Sequence, residues 1–180
     1  MSARVPGANA RCFAAVKHVT IEEMTERDLD AAVEIDLSSF HPSDIGAERE
    51  DPRGVREKSL REELARAWAR LRVARDAEGR VVGYVLFWHV VDELHLLNVA
   101  VAPGARRSGI GRALVEAVIA YGRGRDAAKI LLEVRASNVA ALALYDRLGF
   151  TRFNVRERYY SDGEDGIEMV LALEGEPGRG

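Results

Sequence analysis

The stretch Val99-Ala100-Val101-Ala102-Pro103-Gly104-Ala105-Arg106-Arg107-Ser108-Gly109-Ile110-Gly111-Arg112 gathers what a phosphate-bearing ligand needs. An apolar strand runs through a Pro-Gly turn into the first turn of a helix. Glycines there let the main chain approach a ligand closely. A helix start presents N–H groups with no intrahelical partner and a partial positive charge. Arg106, Arg107 and Arg112 set fixed cations beside those donors, and pyrophosphate is the guest that suits them. The same residues also allow a plainer reading, a glycine-eased turn with solvated arginines. The loop is not a Walker loop, since no Gly-Lys-Ser/Thr follows, and Leu114 stands where a dinucleotide fingerprint needs its third glycine.

Two further positions have chemistry to offer. Glu133 sits among Leu131, Leu132 and Val134 in a segment suited to burial, where a lone acid is costly, or else alternation turns it to a solvated face. Asn138 and Tyr145 are seven residues apart, two helical turns, and so share one side of a helix. Asn138 also suits an N-cap. Tyr145 is either a proton donor or a core tyrosine in an Ala/Leu-rich helix.

Strands and helices must alternate to position these groups. Val16 to Glu22 reads as a strand, and Thr25 with Asp28 reads as a capping pair opening a helix through Leu37. His41 to Arg56 carries two prolines and two glycines and reads as a loop or broken helix. Ser59 to Arg70 returns to helical spacing, with Leu60, Leu64, Trp68 and Leu71 on one side. Arg72 to Arg75 and Val81 to Val91 form a hairpin around Glu78-Gly79, and Leu94 to Val101 is a further strand. Gly109 to Tyr121 is helical, Ile130 to Val134 is a strand, and Asn138 to Leu148 is a helix that Gly149 ends. Phe150 to Tyr159 and Ile167 to Leu173 close the chain as strands. The order implies a mixed α/β fold around one sheet. Residues 1–15 read as a disordered leader, 16–173 as one domain and 174–180 as a frayed tail.

Composition narrows the function classes. A net charge of −3 argues against general nucleic-acid binding. Cys12 is the single cysteine, so one chain can build no disulfide framework or multi-cysteine metal site, which suits a reducing cytoplasm. The longest apolar run, Val81 to Val91, falls short of the ~20 residues of a membrane helix. His18, His41, His89 and His95 show no metal-ligand spacing.

The spacing Arg106-x-x-Gly109-x-Gly111, after an apolar strand and before an amphipathic helix, resembles the acyl-CoA loop of the GNAT acetyltransferase superfamily. Further on, Leu132-Glu133-Val134-Arg135-Ala136-Ser137-Asn138, Ala141-Leu142-Ala143-Leu144-Tyr145 and Leu148-Gly149-Phe150 are similar to the ribosomal-protein alanine N-acetyltransferases of the RimI type. Asn98-Val99-Ala100-Val101, Arg158-Tyr159-Tyr160 and Glu164-Asp165 extend the likeness, which covers about Val81 to Leu173. Those enzymes usually carry a Pro-Trp pair after the first helix. Here Phe40-His41-Pro42-Ser43-Asp44 has no Trp.

The resemblance implies a mixed, mostly antiparallel twisted sheet, splayed at the acetyl-CoA site and flanked by helices. It implies acetyl-CoA as co-substrate, no metal, and transfer to a primary amine by direct attack. The acceptor implied is a protein N-terminus, possibly a ribosomal protein's, and the enzyme a monomer or weak dimer. Glu133 becomes the proton acceptor, Tyr145 the acid near the sulfur and Asn138 a contact on the pantetheine arm. Main-chain groups of Val99, Ala100 and Val101 face the pantetheine and thioester, and Arg106, Arg107, Ser108, Gly109, Ile110, Gly111 and Arg112 hold the pyrophosphate. An α-amine with pKa about 7.7–8.0 needs only modest base assistance. A lysine side chain, a small amine, or a CoA-binding module without catalysis remain the other readings. Asp92, Glu93, Glu164 and Asp165 either favour a basic acceptor or are solvated loop residues.

Overall fold

A computed structural model describes residues 19–40 and 51–173. The expected leader with Cys12, the first residues of the first strand, the polar stretch 41–50 and the tail from 174 lie outside the described residues. Seven strands form one sheet: β1 (Thr20–Glu23), β2 (Ala69–Arg75), β3 (Val81–Val90), β4 (Glu93–Val101), β5 (Lys129–Arg135), β6 (Thr151–Arg156) and β7 (Gly166–Ala172). Their spatial order is β1-β2-β3-β4-β5-β7-β6. Every neighbouring pair is antiparallel except β4 with β5. A parallel pair needs a crossover, and α3 (Ile110–Arg123) supplies it.

The helices pack on both faces of this sheet. Ile110, Leu114, Val115, Val118 and Ile119 recur at helical spacing along α3, and all are buried. They meet Phe87, Leu94, Ile130 and Met169 from the sheet, while Leu142 and Tyr145 of α4 (Val139–Arg147) join the same core. The other face carries α1 (Leu29–Leu37) and α2 (Pro52–Ala65). There Ala32, Val33 and Leu60 pack on Val73, Tyr84 and Ala100. Each strand in the middle of the sheet is therefore apolar on both sides, which explains the nearly unbroken buried run from Gly83 to Phe87.

Local signals are realised where they carry a mechanism. Asp28 accepts the Thr25 main-chain N–H at 2.9 Å, forming the expected box around a 3-10 turn that leads into α1. Asn138 accepts the N–H of Ala141 at 3.1 Å, and Gly149 takes the left-handed conformation after α4 with φ of 90°.

The strand expected over Phe150 to Tyr159 ends at Arg156, the one expected from Arg72 starts at Ala69, and the second helix differs at both ends. The segment through Arg56 is not all loop: Pro52 occupies the first turn of α2, where its missing N–H costs nothing, and Asp51 caps that helix by accepting from Gly54 at 2.8 Å. The helix then ends at Ala65 rather than Arg70. Trp68 lies in the connection, 46% exposed, and Leu71 already belongs to β2.

Leu114 is fully buried where α3 meets the sheet. Replacing it with alanine should cost about 2–5 kcal/mol through lost burial and a cavity. Differential scanning calorimetry should show a Tm lower by roughly 5–15 °C.

Candidate active site

β4 and β5 stay paired only as far as Leu96 and Leu132. Both strands run on, to Val101 and Arg135, so from Leu97 and Glu133 onward they part. The ladder between β3 and β4 slips at the same place: Phe87 faces Leu96, but Leu86 faces Asn98. Leu97 is thus the extra residue of a β-bulge, a device that bends its strand. A cleft of about 520 Å³ opens in the gap.

The free edge of β4 faces this cleft with its main chain. Ala102 donates its N–H to the Val82 carbonyl at 3.0 Å, so the Val101 carbonyl of that same peptide plane points away from β3. Alternation puts the N–H and C=O of Val99 on the same free edge and those of Ala100 toward β3. The Ala100 side chain lies in the core under α1 and α2.

At the far end of β4 the chain enters the glycine loop. Arg107 and Gly109 both have positive φ, 59° and 87°, and no side chain caps the N-terminus of α3. Successive main-chain N–H groups in such a turn form an anion-binding concavity. A methyl group added at Gly111 would meet the Leu144 and Val101 side chains at 3.7 Å, an ordinary van der Waals contact. Ser108 donates its hydroxyl to the Ala105 carbonyl at 2.6 Å, and Ile110 is buried.

The three arginines differ in their engagements. Arg106 donates from Nε to the Val101 carbonyl (3.1 Å) and from Nη2 to the Ser38 carbonyl (2.9 Å) and the Ser39 hydroxyl (3.1 Å). It ties the loop to the C-terminus of α1, where a cation is favoured. Arg112 pairs with Glu116 at 2.8 Å. Arg107 has no carboxylate partner among the described residues.

Glu133, Asn138 and Tyr145 line the cleft together with Val99. Glu133 is 22% exposed and accepts from Arg156 Nη1 at 3.2 Å. Burial pushes its carboxyl above the ordinary glutamate value; Arg156 and Tyr160 oppose the rise, and the nearby Glu168, its partner in the β5–β7 ladder, adds to it. Tyr145 is 7% exposed and tilts against Phe150 with ring centres 5.5 Å apart. Its hydroxyl has no hydrogen-bond partner among the described residues, and burial alone drives the phenol pKa upward. The carboxyl is therefore a better proton acceptor than a solvated one, while the phenol keeps its proton through the whole working range.

Further residues line the cleft, of which Asn98, Tyr159 and Tyr160 belong to the stretches that carry the resemblance. Ser39, Phe40, Arg56 and Asn98 line the cleft beside Leu97. They come from three elements far apart in the chain, and only tertiary packing brings them together. Tyr159 and Tyr160 line it too, each stacked under an arginine: Arg156 lies 3.9 Å from the Tyr159 ring centre and Arg135 3.8 Å from that of Tyr160.

The four acids considered for a basic acceptor lie off the cleft lining. Glu93 pairs with Lys129 at 2.8 Å. Glu164 accepts from the Ser137 N–H at 2.7 Å and from Arg135 at 2.8 Å, interactions that hold its pKa at about 2. Asp165 accepts the Arg158 N–H at 2.8 Å. His89 contacts the Tyr121 hydroxyl and His95 contacts Glu93, also away from the cleft. Among the described residues no group of His, Cys, Asp or Glu could hold a metal ion, and no helix is long and apolar enough to cross a membrane.

A sheet that parts beside an uncapped, glycine-bearing helix start, with a carboxyl and a phenol facing the gap, is the arrangement of an acyl-transfer fold. The chain belongs to the acetyltransferase (GNAT) family, which it matches over residues 30–150. Among its relatives, the ribosomal protein bS18-alanine N-acetyltransferase of Escherichia coli (strain K12) is 45% identical over 98 residues, or 53% of this chain and 66% of that one. The chain thus spans just under two thirds of that relative's length. A Bacillus subtilis (strain 168) relative is 30% identical over 161 residues, covering 89% of this chain and 96% of its own. In three dimensions the crystal structure of the ribosomal-protein-S18-alanine N-acetyltransferase from Escherichia coli superposes with a TM-score of 0.74 at 34% identity, covering 90% of this chain and 97% of that one.

The balance of charges around Glu133 can be read directly. Removing the opposing cation with Arg156→Leu should raise the Glu133 pKa further, and Glu168→Gln should lower it. A carbon-13 carboxyl NMR titration of Glu133 checks both directions.

Proposed function

We propose that this chain transfers an acetyl group from acetyl-CoA to the free α-amine of a protein N-terminus, that of a ribosomal protein in the cytoplasm. The observation that carries the reading is the meeting of Glu133 and Tyr145 in one cleft, a raised carboxyl and a protonated phenol, where β4 and β5 part. The named activity of the Escherichia coli relative supports the choice of acceptor.

The residues fit the co-substrate. The N–H groups of the 107–111 turn suit a pyrophosphate, the Val99 main chain offers strand-like partners to an amide-bearing arm, and Asn138 stands at the mouth of α4. Acetyl-CoA, when bound, supplies the thioester and its leaving thiolate. Glu133 accepts the proton that the amine gives up, directly or through one water. Tyr145 holds its proton on the hydroxyl and offers it to the departing sulfur. An α-amine at pKa about 7.7–8.0 is partly neutral near pH 7, whereas a lysine at about 10.4 would ask more of one glutamate. Arg156 limits how far burial raises the Glu133 carboxyl.

Thiol release from acetyl-CoA with a peptide beginning Ala-Arg, compared with the same peptide carrying a blocked terminus, tests the reading. Turnover is expected only with the free terminus; equal turnover with both, or none with either, sinks it. In Glu133→Gln, kcat/KM should fall by about 10²–10⁴ while calorimetric acetyl-CoA binding is retained. The pH dependence has a defined sign. kcat/KM should rise with pH as Glu133 ionises and the amine loses its proton, and Tyr145 should impose no falling limb below its ordinary value of about 10.

A further inference from the structure

Arg56 lines the cleft from α2, with its side chain 15% exposed. Its Nε donates to one oxygen of Asp36, which is wholly buried on α1. The other Asp36 oxygen accepts from the hydroxyl of the fully buried Tyr84, and that hydroxyl accepts from the Asn98 amide at 3.4 Å. Asn98 returns the chain of contacts to the cleft wall. A guanidinium is a rigid planar fork of five N–H donors. With Nε fixed on Asp36, the orientation of the two Nη groups is fixed as well, and among the described residues they donate to nothing. Arg135, another arginine of the cleft, has its Nη1 on Asp162 and Glu164.

Among the described residues no buried side-chain nitrogen is left without a partner, so the Arg56 Nη groups are open to the cleft and available to an acceptor bound there. Its chemistry follows from the charge. The Asp36 carboxylate balances Arg56, so the pair attracts no anion strongly and repels no basic peptide; a neutral carbonyl oxygen suits it best. Resting on the function proposed above, we propose that Arg56 anchors the acceptor by donating from Nη to a main-chain carbonyl of its first residues. That contact lets the enzyme prefer a polypeptide terminus to a simple amine, whatever side chains the peptide carries. Asp36, Tyr84 and Asn98 act through Arg56 as positioning residues.

Steady-state kinetics on the full chain decides this. Arg56→Leu alone would strand the Asp36 charge in the core, so the informative variant is Arg56→Leu with Asp36→Asn, which removes both charges together. The peptide KM should rise about tenfold or more, the loss of one charge-assisted hydrogen bond. The acetyl-CoA KM and turnover of benzylamine, which has no carbonyl, should stay at wild-type values. Arg56→Lys, which keeps the charge opposite Asp36, should recover part of the peptide KM. An unchanged peptide KM in the double variant overturns the anchor. So does a parallel rise in the acetyl-CoA KM, which marks Arg56 as a structural latch only. In both cases the wild-type enzyme still acetylates peptides, and the broader reading survives. A wild-type enzyme inactive on every free-terminus peptide sinks both together.

Discussion

The parting of β4 from β5 after Leu96 and Leu132 is the constraint on which the rest depends. Main-chain N–H and C=O groups inside a sheet cannot be left without partners. A central strand that leaves its neighbour therefore demands replacements along its free edge. The protein supplies one itself, the Arg106 guanidinium on the Val101 carbonyl. The Val99 groups are left facing the cleft, which is what an amide-bearing ligand requires. Parting also needs the strand to bend, and the bulge at Leu97 does that. On its other side β5 stays paired with β7 along its whole length, with Glu133 opposite Glu168. The gap is thus confined to one edge of each strand, and the sheet remains continuous around it.

The same opening creates the electrostatic difference between Glu133 and Tyr145. Glu133 and Tyr145 are both raised by removal from water, yet burial acts on them to different ends. A raised carboxyl gains proton affinity toward the range where a base is useful, whereas a raised phenol becomes a firmer holder of its proton. Arg156 stands against the rise only at Glu133. Without it, desolvation and Glu168 together would push the carboxyl toward its neutral form, in which it could not accept a proton. Tyr145 has no such counter-charge, and its place among Leu142 and Phe150 keeps it so.

What was legible in the sequence was what short-range chemistry dictates. The Thr25-Asp28 box, the Asn138 cap and the Gly149 stop each involve residues three to five apart, and all three form. Glu133 and Tyr145 are candidates locally, as an acid in an apolar strand and a tyrosine two turns from a cap. Their roles come from the resemblance to the acetyltransferase family. Pro52 was read as a breaker because proline opens helices as often as it ends them, and only the Asp51 cap distinguishes the two. The run Leu60, Leu64, Trp68, Leu71 keeps helical spacing across the boundary at Ala65, where the alternation Ala69, Leu71, Val73 takes over. The bulge did have a signal: the Leu96-Leu97 doublet breaks the alternation of Leu94, His95 and Leu96. Arg56 and Asp36 had none, since they stand twenty positions apart on two different helices.

The two walls of the cleft rest on different cores. Asn138 and Tyr145 ride on α4, which packs with α3 on one face of the sheet. Phe40, Arg56 and Asn98 depend on α1, α2 and the buried Tyr84 on the other face. Each face has its own apolar cluster. Contacts at well-separated sites add nearly independently. A change at a cleft residue of α2 can therefore alter that wall while leaving the Glu133–Arg156 pair in place. That separation gives a physical reason for the chain to keep the glycine loop of its family while the segment after α1 departs from the Pro-Trp pattern. On the proposed function, the wall that meets the co-substrate answers to one invariant molecule, and the wall that meets the acceptor is free to follow its own.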